Sequence, residues 1–531
     1  MKRTNILWIT ALALGWFFDF LFWKQAHGIN FAIYVVLCLA GGFLVLRLND
    51  NKPSWRALLL LVPILFFTAM TFIRQEPMSL SLSFVFTLGL MGVLAISFLG
   101  GRWPWYGLSD YVANYAKLIG SMIARPLIFL SENRRQATAG QDNSSTAGSR
   151  SGWKRFWAIF RGVLIALPIV AVFAALLSSA DLVFAQRMQD FVKLFRLENL
   201  PEYIFRGVYI LIGAYALAGV ILHAAQKSRD EKLVGEKPLV PQFLGFTEAA
   251  VVLGTVVALF AIFVVIQFQY FFGGQTNIGV AGYTFSEYAR RGFGELVTVA
   301  FFSLLLFLGL SAIVKRQTTA QRWAFSGLGI GMVALVGVML VSAFQRLLLY
   351  EAAYGFSRLR MYTHVFMLWL GALLAVVVVL DILRKERFFA MAALLASIGF
   401  AATLTLVNVD GYIVRQNVAR AAAGEGLDVA YLTSLSPDAV PALVEAFQSP
   451  SLPSRIQEAA GAALACRTTG TSDRLDSDWR SFTLTRFWSD AALKPVQESL
   501  KQYKFQTDVW PVTATSPKGN KFDCNSNSSG D

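Results

Sequence analysis

The sequence predicts an all-α integral membrane protein: about eleven transmembrane helices, four and then seven, followed by a C-terminal tail of helical hairpins. Three observations carry that prediction. Only 15% of the 531 residues are charged and 56% are hydrophobic, whereas a domain solvated by water carries about 25% charged residues. Apolar runs close to the roughly 20 residues that cross a bilayer core recur along the chain. Basic residues are also shared unevenly among the loops that join those runs, as they are in membrane proteins.

The runs fall at 5–23, 29–46, 55–73, 79–99, 160–178, 207–224, 246–267, 294–314, 323–344, 362–382 and 387–407. The first follows Lys2 and Arg3, but its length, its aromatic content and the lack of a small-residue cleavage site predict an uncleaved anchor. Four spans therefore occupy 1–99, a basic cytoplasmic segment 100–156, seven spans 157–407 and the tail 408–531. In the basic segment, SENRRQATAGQDNSSTAGSR (131–150) has the composition of a disordered linker. DYVANYAKLIGSMIARPLIFL (110–130) mixes apolar and basic positions and predicts a helix lying along the membrane surface. With the N-terminus in the cytoplasm, 24 of the 35 Lys and Arg up to residue 407 fall inside and 11 outside. An odd number of spans then puts the tail outside. The net charge of +14 belongs to the apolar region: residues 1–407 hold 35 Lys+Arg against 19 Asp+Glu, the remainder 12 against 14. Such basic loops meet anionic lipid, so the bilayer is the expected partner and nucleic acid is not.

In the tail, YIVRQNVARAAAG (412–424), DVAYLTSLSPDAVPALVEAFQ (428–448) and PSRIQEAAGAALACR (453–467) read as short amphipathic helices joined by tight turns. Gly424 is a natural stop. Ser436 as N-cap, Pro437 in the first helical position and Asp438 behind it make a helix start. The last dozen residues have the composition of a disordered end, and the hairpins offer a surface for a protein partner. Cys466 and Cys524 can pair if the tail is extracytoplasmic, while Cys38 reads as a lipid-facing or packing residue. His27, His223 and His364 lack ligand spacing and read as isolated interfacial or packed imidazoles.

No phosphate loop, HExxH, CxxC or GxSxG motif is present, so nothing calls for a metal, a cofactor or a familiar catalytic set. What the sequence offers is a series of polar cassettes at span ends. They supply Asp181 after the fifth span, then Gln267 and Tyr270 after the seventh. Glu287, Tyr288, Arg290, Arg291 and Glu295 precede the eighth, and Arg346, Tyr350, Glu351, Tyr354 and Arg358 lie between the ninth and tenth. Thr284 and Glu287 form a capping box, and Glu287–Arg291 and Arg291–Glu295 are i,i+4 pairs, so three charges can form one ladder. Gly355 can end a helix and Ser357 can cap the next. Glu351 has Arg346 one turn away and Arg358 and Arg360 across the Gly355 turn. Such residues commonly anchor and cap membrane helices, but by the expected topology every cassette lies at the outer face, where they could also converge on a polar site.

The cassettes give the chain a resemblance. SSAD (178–181), QFQYFFGG (267–274), TFSEYARRGFGEL (284–296), SAFQRLLLYEAAYGFSRLR (342–360), NVDGYIVRQNVAR (408–420) and LDVAYLTSLSPDAVPAL (427–443) come in order. Over roughly 160–448 the chain resembles an uncharacterised family of bacterial polytopic membrane proteins. That family is a domain of unknown function of the type forty-one seventy-three, related to forty-one fifty-three. The resemblance implies a multi-pass membrane fold in a bacterial inner membrane and brings no catalytic residues with it. The leading expectation is a non-enzymatic envelope component for transport, lipid handling or assembly, with a polar site at the outer face. A membrane enzyme would use Asp181, Glu287 or Glu351 as acid or base and Arg290, Arg291 or Arg346 to hold phosphate. A sensor or scaffold would bind its partner through the tail.

Overall fold

The computed structural model describes residues 3–139, 200–229, 242–271, 293–469, 478–507 and 510–525, with scattered positions between 162 and 187. Among the described residues, ten helices are long and apolar enough to cross a bilayer, and the chain is an α-helical, multi-pass membrane protein. In chain order come α1 (Thr4–Phe22), α2 (Ile29–Leu48), the short α3 (Trp55–Leu58) leading into α4 (Leu61–Ile73), α5 (Pro77–Ser97) and α6 (Leu108–Ala139). After these come α7 (Leu200–Gln226), α8 (Phe246–Phe271), α9 (Phe293–Ile313), α10 (Thr319–Tyr354), α11 (Arg358–Ile382) and α12 (Phe389–Val407). Ten of the eleven expected runs coincide with these helices. The remaining one, 160–178, lies outside the described residues apart from isolated positions.

The chain forms two compact units, Met1–Phe20 with Ile119–His223, and Leu21–Leu118 with Ala224–Asp531. In the first, Ser121 Oγ lies 2.8 Å from His223 Nδ1, Gly219 packs against the Met122 backbone, and the Tyr215 hydroxyl donates to the Ile123 carbonyl. Three successive residues of α6 therefore meet α7 positions four apart. Nearer the other end of α7, Arg206 Nε donates to Asp19 of α1 at 2.9 Å, and the Tyr209 hydroxyl donates to the same carboxylate.

In the second unit the turns between spans gather at two ends. At one end Ser54 N donates to Phe98 O at 2.8 Å and Gly100 N to Ser228 O at 2.8 Å. Lys315 N donates to Leu244 O at 2.9 Å, and Arg316 pairs with Asp381 at 3.2 Å. At the other end, the turns after Phe22, Ile73, Tyr354 and Val407 all meet the tail. Local sequence rules explain where the helices stop. Gly355, at φ 80°, closes α10 with its N–H on Glu351 O. A Cβ at that position would sit 2.7 Å from Asn417 Oδ1, so glycine is required for space as well as for handedness. Thr318 and Gln321 form a capping box at the start of α10. Ser357 occupies the N-cap position of α11 without making a side-chain cap bond.

The tail comprises α13 (Val409–Ala422), α14 (Val429–Ser434), α15 (Val440–Gln448), α16 (Ser454–Thr469), α17 (Leu484–Leu493) and α18 (Gln497–Leu500). Ser436 caps the turn that opens at Pro437, its hydroxyl accepting from Asp438 N at 3.2 Å, and Gly424 succeeds the end of α13 at φ 109°. The tail core is continuous with the membrane helices: Val365 of α11 and Leu404 of α12 belong to the same buried cluster as Ile413, Leu443 and Leu464.

The tail ends differently from the expected disordered helical end. Three antiparallel strands, β1 (Lys504–Gln506), β2 (Thr513–Thr515) and β3 (Lys521–Asp523), form a sheet in which Phe505, Ala514 and Phe522 are in register. Two buried connections tie this end to α16, the first of them the cysteine pair that the sequence offers. Cys466 and Cys524 form a disulfide. Glu458 of α16 accepts from Ser516 Oγ at 2.6 Å, Asn520 Nδ2 at 2.8 Å and Ser454 Oγ at 2.9 Å, with Lys518 Nζ 3.5 Å away.

Burial alone would push the Glu458 carboxyl up; the four donors from Ser516, Asn520, Ser454 and Lys518 together outweigh it and hold the group below its ordinary range. A depressed folded pKa contributes stability that is complete above the unfolded value of 4.5 and is lost as pH falls through the folded value. Glu458→Gln should therefore cost about 1.5–3 kcal/mol at neutral pH. It should also remove the acid sensitivity of tail unfolding below pH 4.5, as read by proteolysis of the full chain across a pH series.

Candidate functional site

The densest polar chemistry among the described residues lies where the tail meets the span ends. The turn between α4 and α5 presents Arg74, Gln75 and Glu76. Asp438 of the tail, 3% exposed, accepts from the main-chain N–H groups of Gln75 at 2.7 Å and Glu76 at 2.9 Å, and from Thr485 Oγ1 at 2.7 Å. Arg74 Nη1 lies 3.6 Å from the same carboxylate, and Arg74 Nε donates to Thr405 O at 3.0 Å, closing the end of α12. Glu76 caps α5 by accepting from Met78 N at 2.9 Å and Ser79 N at 2.7 Å, and it also takes the Tyr362 hydroxyl of α11.

A second connection is parallel to it. Arg358 at the start of α11 makes a two-pronged pair with Asp410 in the first turn of α13, Nε–Oδ1 at 2.7 Å and Nη2–Oδ2 at 2.6 Å. Asp410 is fully buried and also accepts from Ser436 N at 2.7 Å. Asn417 brackets the Gly355 turn, accepting from Phe356 N at 2.7 Å and donating to Phe356 O at 2.9 Å. These groups are satisfied by one another. Their chemistry is that of a docking joint.

Deeper between the helices is a different polar group. Glu351 of α10 is 1% exposed, and its Oε2 lies 3.0 Å from His364 Nε2 of α11. Its other oxygen, the His364 Nδ1, Ser342 Oγ and both amide atoms of Gln267 on α8 are buried with no hydrogen-bond partner among the described residues. Arg346, one turn beyond Ser342 on α10, is buried as well. The bonds between Leu244 and Lys315 set the starts of α8 and α10 at the same end, so the two helices run the same way. A Cβ at Gly331 would lie 3.9 Å from Val257 Cγ1. At equal rise, Gln267 is then level with Val341 and Ser342. The group accordingly spans three helices, from about one turn below the Gly355 turn at Glu351 to nearly four at Ser342.

The expected site residues are scattered among several settings. Glu287, Tyr288, Arg290 and Arg291 lie outside the described residues, and Tyr270 is placed only as backbone of α8. Asp181 is exposed and accepts from Phe184 N at 3.1 Å, the bond of a local turn. Glu295 is exposed in the first turn of α9, where the helix dipole favours a negative charge. The rings of Tyr350 and Tyr354 meet at a centroid distance of 4.8 Å, tilted by 50°, with the Arg360 guanidinium 4.2 Å over Tyr350.

The expected pairing of Glu351 with Arg358 or Arg360 is corrected: Arg358 turns to Asp410, Arg360 donates to Gly355 O, and His364 meets Glu351. Glu351 lies four residues before Gly355 and His364 nine after it, a spacing that does not by itself announce their contact. His364 is a packed imidazole, and the carboxylate beside it is the part that the sequence did not show. Asp438, Asp410 and Glu76 gave no signal either, because their partners are remote in sequence. No group of three or more His, Cys, Asp or Glu is placed to hold a metal ion among the described residues.

Asp410→Ala would remove the fully buried partner of the half-buried Arg358 guanidinium and of the Ser436 N–H, and should destabilise tail docking by about 3 kcal/mol. In the Arg358→Ala, Asp410→Ala double variant the loss should fall short of the sum of the single losses. Denaturant-dependent proteolysis of the tail in the full chain reads both quantities.

No curated protein and no solved structure matches the chain. A family model does, that of the domain of unknown function DUF4153, the second of the two types to which the motifs pointed, over residues 61–446. The match begins at the first residue of α4, about a hundred residues ahead of the stretch that carried the resemblance, and ends within α15. It thus takes in Arg74 and Glu76 as well as Gln267, Glu351, Arg358, His364, Asp410 and Asp438. Covering well over half of the 531 residues, it makes this chain a member of the DUF4153 family.

Proposed function

We propose that the chain is a non-enzymatic component of a bacterial inner membrane, serving envelope transport, lipid handling or assembly. In this reading the tail faces the extracytoplasmic side, and a polar ligand binds at Gln267, Ser342, Arg346, Glu351 and His364. The observation that carries the proposal is Glu351, fully enclosed near the end of a spanning helix, with one oxygen on His364 and the other without a hydrogen-bond partner among the described residues. A buried polar atom without a partner costs about 1–3 kcal/mol. Ionisable residues inside membranes mark ligand and ion pathways for that reason. The orientation is supported by the excess of Lys and Arg in the loops at the end away from the tail. The Cys466–Cys524 disulfide supports it independently, since such bonds persist in oxidising compartments.

The Glu351–His364 pair also favours a second reading, an enzyme acting on a lipid-linked or headgroup substrate with this pair moving the proton. The two readings separate in reconstituted protein: turnover in detergent supports the enzyme, and activity that needs a sealed vesicle supports transport.

Purified in native-lipid discs, the chain should retain a bound solute or lipid detectable by mass spectrometry. Glu351→Gln and Gln267→Leu should each release it by tenfold or more, equivalent to about 1.4 kcal/mol. Gln267→Leu should at the same time raise thermal stability, because it removes an unmatched buried amide. Retention of the same molecule by both variants would refute the site. A periplasm-active reporter fused after Asp531 should be active if the orientation is right.

A further inference from the structure

The tail exposes few large apolar side chains, and they are not scattered. Of the five exposed in the described residues beyond 408, four lie within ten positions: Trp479, Phe482, Phe487 and Trp488, between 39% and 57% exposed. The fifth is Trp510. The rings of Phe482 and Phe487 meet at a centroid distance of 6.2 Å, which joins the turn at 479–481 and α17 into one patch.

The position of this patch is fixed by hydrogen bonds to the ends of membrane spans. Ser481 Oγ donates to Ala26 O at 3.1 Å, and Ile29 N, the first residue of α2, donates to Phe482 O at 2.9 Å. Thr485 Oγ1 donates to the carbonyl of Ile73, the last residue of α4. Gly28 lies so close to this segment that a Cβ there would come within 2.6 Å of the Ser481 carbonyl carbon. Segment 479–488 therefore sits against the turn that leads into α2 and against the last residue of α4, at the ends of spans.

The faces of α17 are segregated. At about 100° per residue, the buried Thr485 and Ser489 face the tail core. Phe487, Ala491, Leu484 and Trp488 share one flank, and Arg486 and Asp490 the other. A short helix with aromatic residues on one side, charges on the other and its body held at span ends has the design of an interfacial anchor.

We infer that α17 and the preceding turn form a membrane-surface anchor, with Phe482, Phe487 and Trp488 inserted among the lipid headgroups and upper acyl chains of the leaflet on the tail side. The occupant of the patch is lipid, and the anchor holds the tail against the bilayer in addition to its ion pairs with the helices.

The test uses the full chain with Cys38→Ser, its disulfide intact, in vesicles of phosphatidylethanolamine and phosphatidylglycerol. A nitroxide is attached in turn at Phe487→Cys, Trp488→Cys and Asp490→Cys. The labels at 487 and 488 should collide several-fold more readily with oxygen than with a water-soluble nickel chelate, and the label at 490 should show the reverse. If the label at 487 meets nickel as freely as that at 490, the patch faces water and the inference fails. If it is shielded from both reagents, a protein surface or a second copy covers the patch, and the inference fails equally. In a Phe482→Ser background the label at 488 should shift towards nickel, whereas a label held only by the protein would not move.

Discussion

An ionised group at the mouth of a membrane helix has little water to turn to, and in this protein that constraint decides how the tail and the spans are joined. The arginines at the end of α4 and the start of α11 cannot remain unanswered at the edge of the hydrocarbon, where an isolated charge costs up to roughly 2.5–3.5 kcal/mol at full depth. Carboxylates of the tail answer them, Asp438 for Arg74 and Asp410 for Arg358. Both acids are almost wholly enclosed and take main-chain N–H groups besides their arginines. An exposed ion pair contributes about 0.2–1 kcal/mol, whereas breaking an enclosed one costs several times that. The tail is accordingly a part of the membrane fold, and Val365 and Leu404 lie in its core as much as in their own helices.

Much of this architecture is legible from the sequence, and the physical reason is locality. A span advertises itself because its apolar length must match the bilayer. Gly355, Gly424 and the Ser436–Pro437 start obey rules that involve only their neighbours. The partners of charged groups are another matter. The local reasoning that offered Arg346, one turn away, and Arg358 and Arg360, across the Gly355 turn, to Glu351 looks only within the cassette, while Arg358 is claimed by an aspartate 52 residues away. Three-residue strands are too short for alternation to register, and although the sequence offers Cys466 and Cys524 as a pair, nothing local announces the cluster of donors around Glu458. Of the candidate site, Gln267, Arg346 and Glu351 were visible as polar residues near span ends, but their burial and the approach of His364 were not.

The extent of the DUF4153 match bears on what the common unit is. Residues 61–446 contain both arginines of the docking joint, their two aspartates, Glu76 and the whole buried polar group. Outside it lie Thr485, Glu458, both cysteines of the disulfide and the aromatic patch on α17. The family unit thus includes the means of attaching the first part of a tail to the spans. Residues 447–531 of this chain add cross-links and surface contacts to a joint that is already complete in its charges.

The hydrogen bonds that seat the tail also impose an order in time. Ser481 reaches Gln25 across 456 residues, Thr485 reaches Ile73 across 412, and Asp438 reaches Gln75 across 363. Ribosomes add about 5–20 residues per second, so the turn at Gln25 precedes its partner by roughly 20–90 s at those rates. For that interval the first spans stand in the bilayer with their exit turns open to solvent or to whatever assists insertion. Their final form waits on the last segments to be made. Biogenesis of this membrane domain is therefore closed from its C-terminal side, although its apolar helices enter the membrane in the opposite order.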